Sequence, residues 1–159
     1  MERNVAKAWR ALGLGLVLAA SSAAAQAEYV FTLFEVPGAA FTDVRGINNS
    51  GQVVGYASGT SDNYAFIYSG GSFIKPTGPA GYSGFSFSGI NDLGVAVGSA
   101  NVLNTGTSPV SGLIYSGGTM TTVSRPGWDQ TWFRAIGPTG LITGYSNNFD
   151  DAGFSAFTY

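Results

Sequence analysis

The 159-residue sequence contains no cysteine and no histidine. Without cysteine the chain has no disulfide and no thiol nucleophile, so its stability must come from burial and backbone pairing. Without histidine it cannot carry Ser-His-Asp or Cys-His catalysis, since both use an imidazole as the general base. Zinc sites built on His or Cys are excluded for the same reason. Pairs of carboxylates, as in glycoside hydrolysis, are the acid–base chemistry that remains.

Charged residues are scarce as well, at 10% of the chain. After residue 27 there are four basic side chains against eight acidic ones, too few cations to neutralise a nucleic-acid backbone. Amphipathic helical periodicity is lacking there, whereas Gly, aromatic and β-branched residues are common. These features predict a globular all-β domain that does not bind nucleic acid.

The first 27 residues are predicted to be a signal peptide. Three basic residues precede an apolar run at 11–20: Arg3, Lys7 and Arg10. Ala25-Gln26-Ala27 fits the small-x-small cleavage rule, so Glu28 is expected to begin the mature chain. The apolar run is about half of the ~20 residues that span a bilayer, which argues against a membrane anchor. We expect residues 28–159 to be exported, to the outside of the cell or to a periplasm.

One phrase occurs three times in altered form. It reads GINNSGQVVGY at 46–56, GINDLGVAVGS at 89–99 and AIGPTGLITGY at 135–145. A second phrase follows each copy: AFIY at 65–68, GLIY at 112–115 and AFTY at 156–159. The repeat length of about 45 residues predicts three units with four antiparallel strands each. Their bounds are about 29–71, 72–118 and 119–159.

A glycine interrupts the third predicted strand of every unit: Gly55, Gly98 and Gly144. Such a glycine indicates close approach by a neighbouring backbone or side chain. The third and fourth strands carry apolar residues on both faces, as strands buried on both sides do. Stacked blades like those of a β-propeller fit this pattern better than a β-trefoil, the alternative fold with three four-stranded units.

The two ends of the sequence bear on how such blades would close. The chain begins with an unpaired copy of the first strand at 30–37 and stops at Tyr159, after a fourth strand. Residues 29–37 are therefore expected to complete the last unit, which would pair both termini in one sheet. Three blades are fewer than the four to eight of a closed ring. An open arc, a six-bladed ring built by a homodimer and a fragment of a longer array are the alternatives.

The sequence GINNSGQVVGYA at 46–57 is preceded by FEVPGA at 34–39 and followed by YAFIYSGG at 64–71. Over roughly residues 29–159 this arrangement resembles the HAF family of bacterial extracellular repeats. The third unit departs from the pattern, with Gly137-Pro138-Thr139 in place of the Asn-Asn phrase. The family's histidine is replaced in all three units, by Tyr64, Ser111 and Ser155. The resemblance implies export and a repeated β structure, and it implies no catalytic residue.

Aromatic residues with polar neighbours are the leading candidates for a ligand site. They are Trp128, Trp132 and Tyr82, which holds the position equivalent to Trp128, together with Asp129 and Arg134. Exposed aromatic faces rimmed by polar groups suit stacking against sugar rings. The alternative is that Trp132 packs between units.

The loop SNNFDDAG at 146–153 offers oxygen donors suited to Ca²⁺: Asn147, Asp150 and Asp151. The residue order of an EF-hand loop is absent, so plain Asx-rich turns are the alternative. No acids recur at equivalent positions of the units or pair by spacing. This favours solvated turn acids over a catalytic pair.

Together these features favour a secreted, non-enzymatic repeat protein that serves as a binding or scaffold module at the cell surface or outside the cell. A glycan or an extracellular protein is the expected partner. The alternatives are a carbohydrate-binding, lectin-like module and a carboxylate-dependent glycoside hydrolase. A hydrolase needs two facing carboxyl groups about 5–10 Å apart.

Overall fold

The computed structural model describes residues 30–59, 63–103, 109–150 and 153–159. The predicted leader with its cleavage site at Ala27 and Glu28 lies outside these residues, and so does the calcium candidate Asp151. The chain divides into two compact units, Met1–Thr32 and Leu33–Tyr159. The architecture below is that of the second unit.

Every regular element in the described residues is a β-strand, so the predicted all-β class is confirmed. The strands are β1 (Phe41–Ile47), β2 (Val53–Ser58), β3 (Asn63–Ser69), β4 (Ser72–Ile74), β5 (Tyr82–Ile90), β6 (Ala96–Val102), β7 (Val110–Ser116), β8 (Thr119–Val123), β9 (Gln130–Ile136), β10 (Ile142–Asn147) and β11 (Phe154–Thr158). In the described part of the chain, no helix is long and apolar enough to cross a membrane.

The strands form two sheets. The first contains four antiparallel strands in the order β1-β2-β3-β4. The second contains seven strands, in which β5 to β8 are consecutive antiparallel neighbours and so are β9 to β11. A single parallel pair, Val110 with Gln130, joins β7 to β9. The described chain is thus a series of antiparallel meanders, β1–β4, β5–β8 and β9–β11.

The boundaries of these meanders differ by one strand from the boundaries of the units predicted from the sequence. The predicted boundaries at 71/72 and 118/119 fall inside the hairpins β3–β4 and β7–β8. Gly70 and Gly71 link the first of these hairpins with φ angles of 58° and 85°. Two consecutive residues of positive φ make the tight turn that keeps both strands in one sheet. The strand after each Gly-Gly link therefore closes a meander and does not open the next one.

The meanders pack face to face in layers. Val54 and Ile67 of the first sheet pack against Phe87 and Leu113 of β5–β8. Alternate residues of β2 and β3 point to the opposite face of that sheet, where Phe66 packs with residues of the segment before β1. The far face of β5–β8 packs against β9–β11 through Val97, Phe133 and Ile142. The apolar pattern on both faces of the middle strands therefore reflects burial on both faces.

The outer face of β9–β11 differs from the faces that are covered. Thr143 and Thr158 lie there and are exposed. The equivalent residues of the first meander are Val54 and Ile67, which are 0% and 5% exposed. In the described residues no further layer covers this face.

The prediction that neighbours approach the three strand glycines closely is confirmed. A Cβ atom on Gly55, Gly98 or Gly144 would overlap a carbonyl oxygen of the adjacent strand. Those oxygens belong to Asp43, Ser86 and Trp132. The register shifts at or beside each of these places, because the first strand of each meander carries a β-bulge.

The strand predicted at 30–37 is not formed, and this expectation was wrong. Residues 30–36 have no regular structure and do not pair with β11. Instead Phe34 packs edge-on against Tyr68 at 4.9 Å and Phe73 at 5.2 Å, on the outer face of the first sheet. Burial of Phe34 and Val36 against this face holds the segment at the opposite side of the stack from β11.

The repeated phrase forms the turn between the first two strands of each meander. Two backbone hydrogen bonds close every copy. In the second copy, Asn91 N–H donates to the carbonyl of Val95 at 3.1 Å, and Gly94 N–H donates to the carbonyl of Asn91 at 3.0 Å. Asn48 and Gly137 begin the other two turns with the same bonds.

Candidate functional site

The strands β1, β5 and β9 run side by side, and their two ends differ. At one end are the three turns of the repeated phrase, where Asn48 contacts Asn91 and Asn91 contacts Gly137. We call this the turn end. At the other, the loop end, β1, β5 and β9 begin, after connections that differ in sequence between meanders. Binding residues are more often carried by such loops than by a repeated framework.

A cleft of about 210 Å³ lies at the loop end between residues of all three meanders. Its aromatic lining includes Tyr56, Phe85 and Trp132. Its polar lining includes Arg45, Ser86, Ser99 and Asn101. We call it the Trp132 cleft. It offers flat apolar rings beside hydroxyl, amide and guanidinium groups, the mixture found in small-ligand sites.

Arg45 is held in a defined position on one wall of the Trp132 cleft. Its guanidinium lies over the ring of Tyr56, 4.6 Å from the ring centroid. Its Nε donates to the Asp43 carboxylate at 2.8 Å, and its Nη1 donates to the Ser86 hydroxyl at 3.4 Å. The cation is therefore paired with a carboxylate, and the wall carries little net charge.

Trp132, which also lines the cleft, belongs to an aromatic cluster on the outer face of β9–β11. Its ring stacks with that of Tyr145, with centroids 6.1 Å apart and planes at 18°. Tyr145 also meets Phe154 edge-on at 5.4 Å. Arg134 lies over both stacked rings, at 5.6 Å from Trp132 and 5.0 Å from Tyr145, and donates to the Tyr145 hydroxyl at 2.8 Å. The structure thus brings together two predicted site residues, Trp132 and Arg134.

Trp128 does not line the Trp132 cleft. It lies in the connection between β8 and β9, where the guanidinium of Arg125 covers its ring at 4.8 Å. The same guanidinium contacts Phe157 at 5.6 Å and donates to the Ser155 hydroxyl at 2.9 Å. Phe157 packs on the side of β9–β11 that faces β5–β8. The two tryptophans are therefore on different sides of the same sheet.

The other two predicted residues are also outside this cleft. Asp129 accepts a hydrogen bond from Phe149 N–H at 2.9 Å, while its own N–H donates to the side-chain oxygen of Asn148 at 2.9 Å. It fastens the loop after β10 to the start of β9. The Tyr82 hydroxyl hydrogen-bonds with that of Ser111 at 3.1 Å, and Tyr82 lines a larger cleft of about 1020 Å³.

The calcium candidates do not form a cluster in the described residues. Asn147 donates from its side chain to the Gln130 amide oxygen at 2.9 Å. Asp150 is exposed. In the described ranges, no three acidic side chains come close enough to hold a metal ion.

Sequence reasoning missed Tyr56 and Tyr145, although a signal for both is present. Arg45 precedes Tyr56, and Arg134 precedes Tyr145, by the same eleven positions. In both meanders the guanidinium lies over the tyrosine ring. A repeated Arg–Tyr spacing across the bulge therefore marks a repeated contact.

A comparison with protein-family models, curated proteins and solved structures finds no match for this chain.

Proposed function

We propose that this chain is a non-enzymatic repeat protein that acts outside the cell as a binding or scaffold module. The predicted signal peptide and the resemblance to the HAF repeats support export. The lack of His and Cys in the whole sequence removes the commonest general base and nucleophile. A protein with this residue set is better suited to binding than to catalysis.

The proposal includes three copies of one blade-like unit, β1–β4, β5–β8 and β9–β11. The repeated turn bonds at Asn48, Asn91 and Gly137 support this equivalence. At the equivalent glycine of each unit, an added Cβ atom would overlap a carbonyl oxygen of the bulged first strand, and this repeated geometry supports the equivalence too. Face-to-face layering favours blades over a trefoil, because the first two meanders are covered on both sides.

The Trp132 cleft is best suited to a neutral carbohydrate. Sugars present C–H faces that stack on aromatic rings and hydroxyl groups that exchange hydrogen bonds with Ser, Asn and Arg side chains. The observation that carries this proposal is that Trp132 and Tyr56 line one cleft together with Ser86 and Ser99. Since Arg45 is already paired with Asp43, the described lining of the cleft carries no unpaired charge for a charged ligand.

The alternative of a glycoside hydrolase has less support. Asp43 pairs with Arg45, Asp92 accepts from Asn49 in the turn phrase, and Asp129 fastens the loop after β10. Each of these acids serves a local structural contact on a different element. No two of them face each other across the Trp132 cleft, whose lining contains no carboxylate from the described residues.

The test is retention of the purified protein on a panel of insoluble neutral polysaccharides. Trp132→Ala should weaken retention at least tenfold, about 1.4 kcal/mol, since a buried aromatic contact typically dominates such a site. Trp128→Ala is the matched control, because it removes the same side chain outside the cleft. Circular dichroism and the melting temperature establish that both variants fold. Equal retention of the parent and Trp132→Ala would refute this site, and turnover of a glycoside by the parent would refute the non-enzymatic function.

A further inference from the structure

In the described residues the outer edge of β11 is unpaired, whereas each of the other two meanders has a fourth strand at the equivalent edge. The equivalent edge of β3 is paired with β4, and that of β7 is paired with β8. In the described residues no strand pairs with the outer edge of β11. An unpaired edge exposes backbone N–H and C=O groups that can bind another strand.

The segment before β1 has the attributes of the missing strand. Val36 N–H donates to the Thr42 hydroxyl at 3.0 Å, and Arg125 N–H donates to the Thr131 hydroxyl at 2.9 Å. Both donors stand immediately before a Pro-Gly turn, and both bonds span six residues. The segment therefore enters β1 in the same way as the chain that leaves β8 enters β9.

Two side chains of this segment are apolar and exposed. Phe31 is 95% exposed and Leu33 is 90% exposed. Their positions in the repeat are those of Met120 and Thr122, which in β8 are paired with Tyr115 and Leu113 of β7. Transferred to the third meander, this register sets Phe31 opposite Tyr159 and Leu33 opposite Phe157.

The edge of β11 has a place for these side chains. A cavity of about 170 Å³ lies beside β11, lined by Phe133, Phe157 and Tyr159 and also by Val123, Ser124, Arg125 and Pro126 at the end of β8 and after it. Tyr159 is 59% exposed. Exposed apolar residues on both the segment and the edge would be removed from water if the two paired.

The segment and the edge belong to opposite ends of one stack. Phe34 is fixed on the outer face of the first sheet, whereas β11 lies beyond β5–β8, in the last layer. Two layers therefore separate them within one copy. A second copy of the chain can present its own segment to β11 without disturbing either packing.

We propose that residues 31–36 of a second copy add to β11 as an antiparallel fourth strand, with Phe31 and Leu33 in the cavity beside Phe157. Reciprocal exchange of the segments closes a twofold dimer. This inference concerns the edge of β11 and the segment, and its test does not use carbohydrate binding at the Trp132 cleft.

The register allows a direct test, because the chain has no cysteine of its own. Thr32 falls opposite Thr158, as Thr121 falls opposite Ile114 in β8 and β7. Paired residues of antiparallel strands have Cα atoms about 4.5–5.5 Å apart, within the span of a disulfide. We would mix Thr32→Cys protein with Thr158→Cys protein carrying a different tag and oxidise the mixture. A disulfide-linked mixed dimer, reversed by reductant, is expected.

The double variant Thr32→Cys/Thr158→Cys distinguishes pairing between two copies from pairing of the segment with β11 of its own chain. A disulfide within a single chain would overturn the proposal, and so would the absence of a mixed dimer.

A second measurement is the native mass by light scattering. Leu33→Asp should halve the mass, while Leu93→Asp, the same change at a 75% exposed leucine of the turn end, should leave it unchanged. A monomeric parent, or equal masses for the two variants, would also overturn it.

Discussion

The side-chain amide of Asn48 donates a hydrogen bond of 2.9 Å to the carbonyl oxygen of Asn91, the residue at the same place in the next turn. The Asn91 amide in turn donates to the carbonyl of Gly137, at 3.4 Å. Each asparagine oxygen meanwhile accepts from two N–H groups of its own turn. One side chain thus closes its own turn and links it to the following one. This explains why the phrase is repeated.

We expect Asn91→Ala to lower the free energy of unfolding by about 2 kcal/mol, since it removes three hydrogen bonds made by one buried side chain. Asn91 is 5% exposed, and its oxygen accepts from the N–H groups of Leu93 and Val95. Asn49→Ala removes an exposed asparagine that bonds Asp92 and should cost less than about 1 kcal/mol. Urea unfolding measures both. Equal losses would mean that Asn91 contributes no more than an exposed turn residue.

The strand glycines provide a second prediction. Gly98→Ala should destabilise the fold by about 3 kcal/mol, because the new Cβ overlaps the Ser86 carbonyl in the rigid backbone of β5. Gly137→Ala is the control, since its Cβ would have its nearest neighbour at 3.6 Å and its φ is not positive. That variant should stay within about 1 kcal/mol of the parent. Similar melting temperatures for the two variants would contradict the bulge geometry.

The features that could be predicted from the sequence are those that recur in it. Gly55, Gly98 and Gly144 mark the bulges because the same steric need arises three times. The apolar pattern on both faces of β2 and β3 predicts two covered faces for the same reason. The expectation for residues 30–37 was wrong because their pattern suits a fourth strand, while the edge of β11 lies two layers away from Phe34. A local pattern specifies a strand but not the presence of the edge that would pair with it.

The site was only partly predictable, for a related reason. Trp132 and Arg134 are close in sequence and share a face, so local reasoning could join them. Arg45 and Trp132 line one cleft only because β1, β5 and β9 run side by side, a long-range arrangement that no local spacing encodes. Trp128 has polar neighbours in sequence, as Trp132 does. It lies in a connection, however, and its ring packs against the guanidinium of Arg125.

The packing between β5–β8 and β9–β11 can be tested by a double-mutant cycle. A Cβ on Gly112 would meet three atoms of the Phe133 ring at 2.8–2.9 Å. Gly112→Ala alone should cost about 1–3 kcal/mol through overpacking. With Phe133→Leu the ring is gone, so the double variant should be more stable than the sum of the single changes predicts, by about 1 kcal/mol. Additive losses would show that the two residues do not touch.

The charge pairing in the Trp132 cleft predicts how binding depends on salt. Because Arg45 is neutralised by Asp43 at 2.8 Å, retention on a neutral polysaccharide should be the same in low and high salt. Arg45→Gln should weaken retention while leaving this insensitivity unchanged, since it removes a donor and not an attraction for anions. Affinity electrophoresis at two ionic strengths measures both. Retention that falls steeply with salt would indicate an anionic ligand instead.

The third turn offers a position where stability can be gained. Gly137 begins a turn with the same backbone bonds as Asn91, but it has no side chain to accept from the following N–H groups. Gly137→Asn should therefore supply the missing acceptor and raise the free energy of unfolding by about 1 kcal/mol. Gly137→Ala gains only the reduced freedom of the unfolded chain, so the difference between the two variants isolates the hydrogen bonds. If Gly137→Asn were no more stable than Gly137→Ala, the asparagines would stabilise their neighbours' turns and not their own.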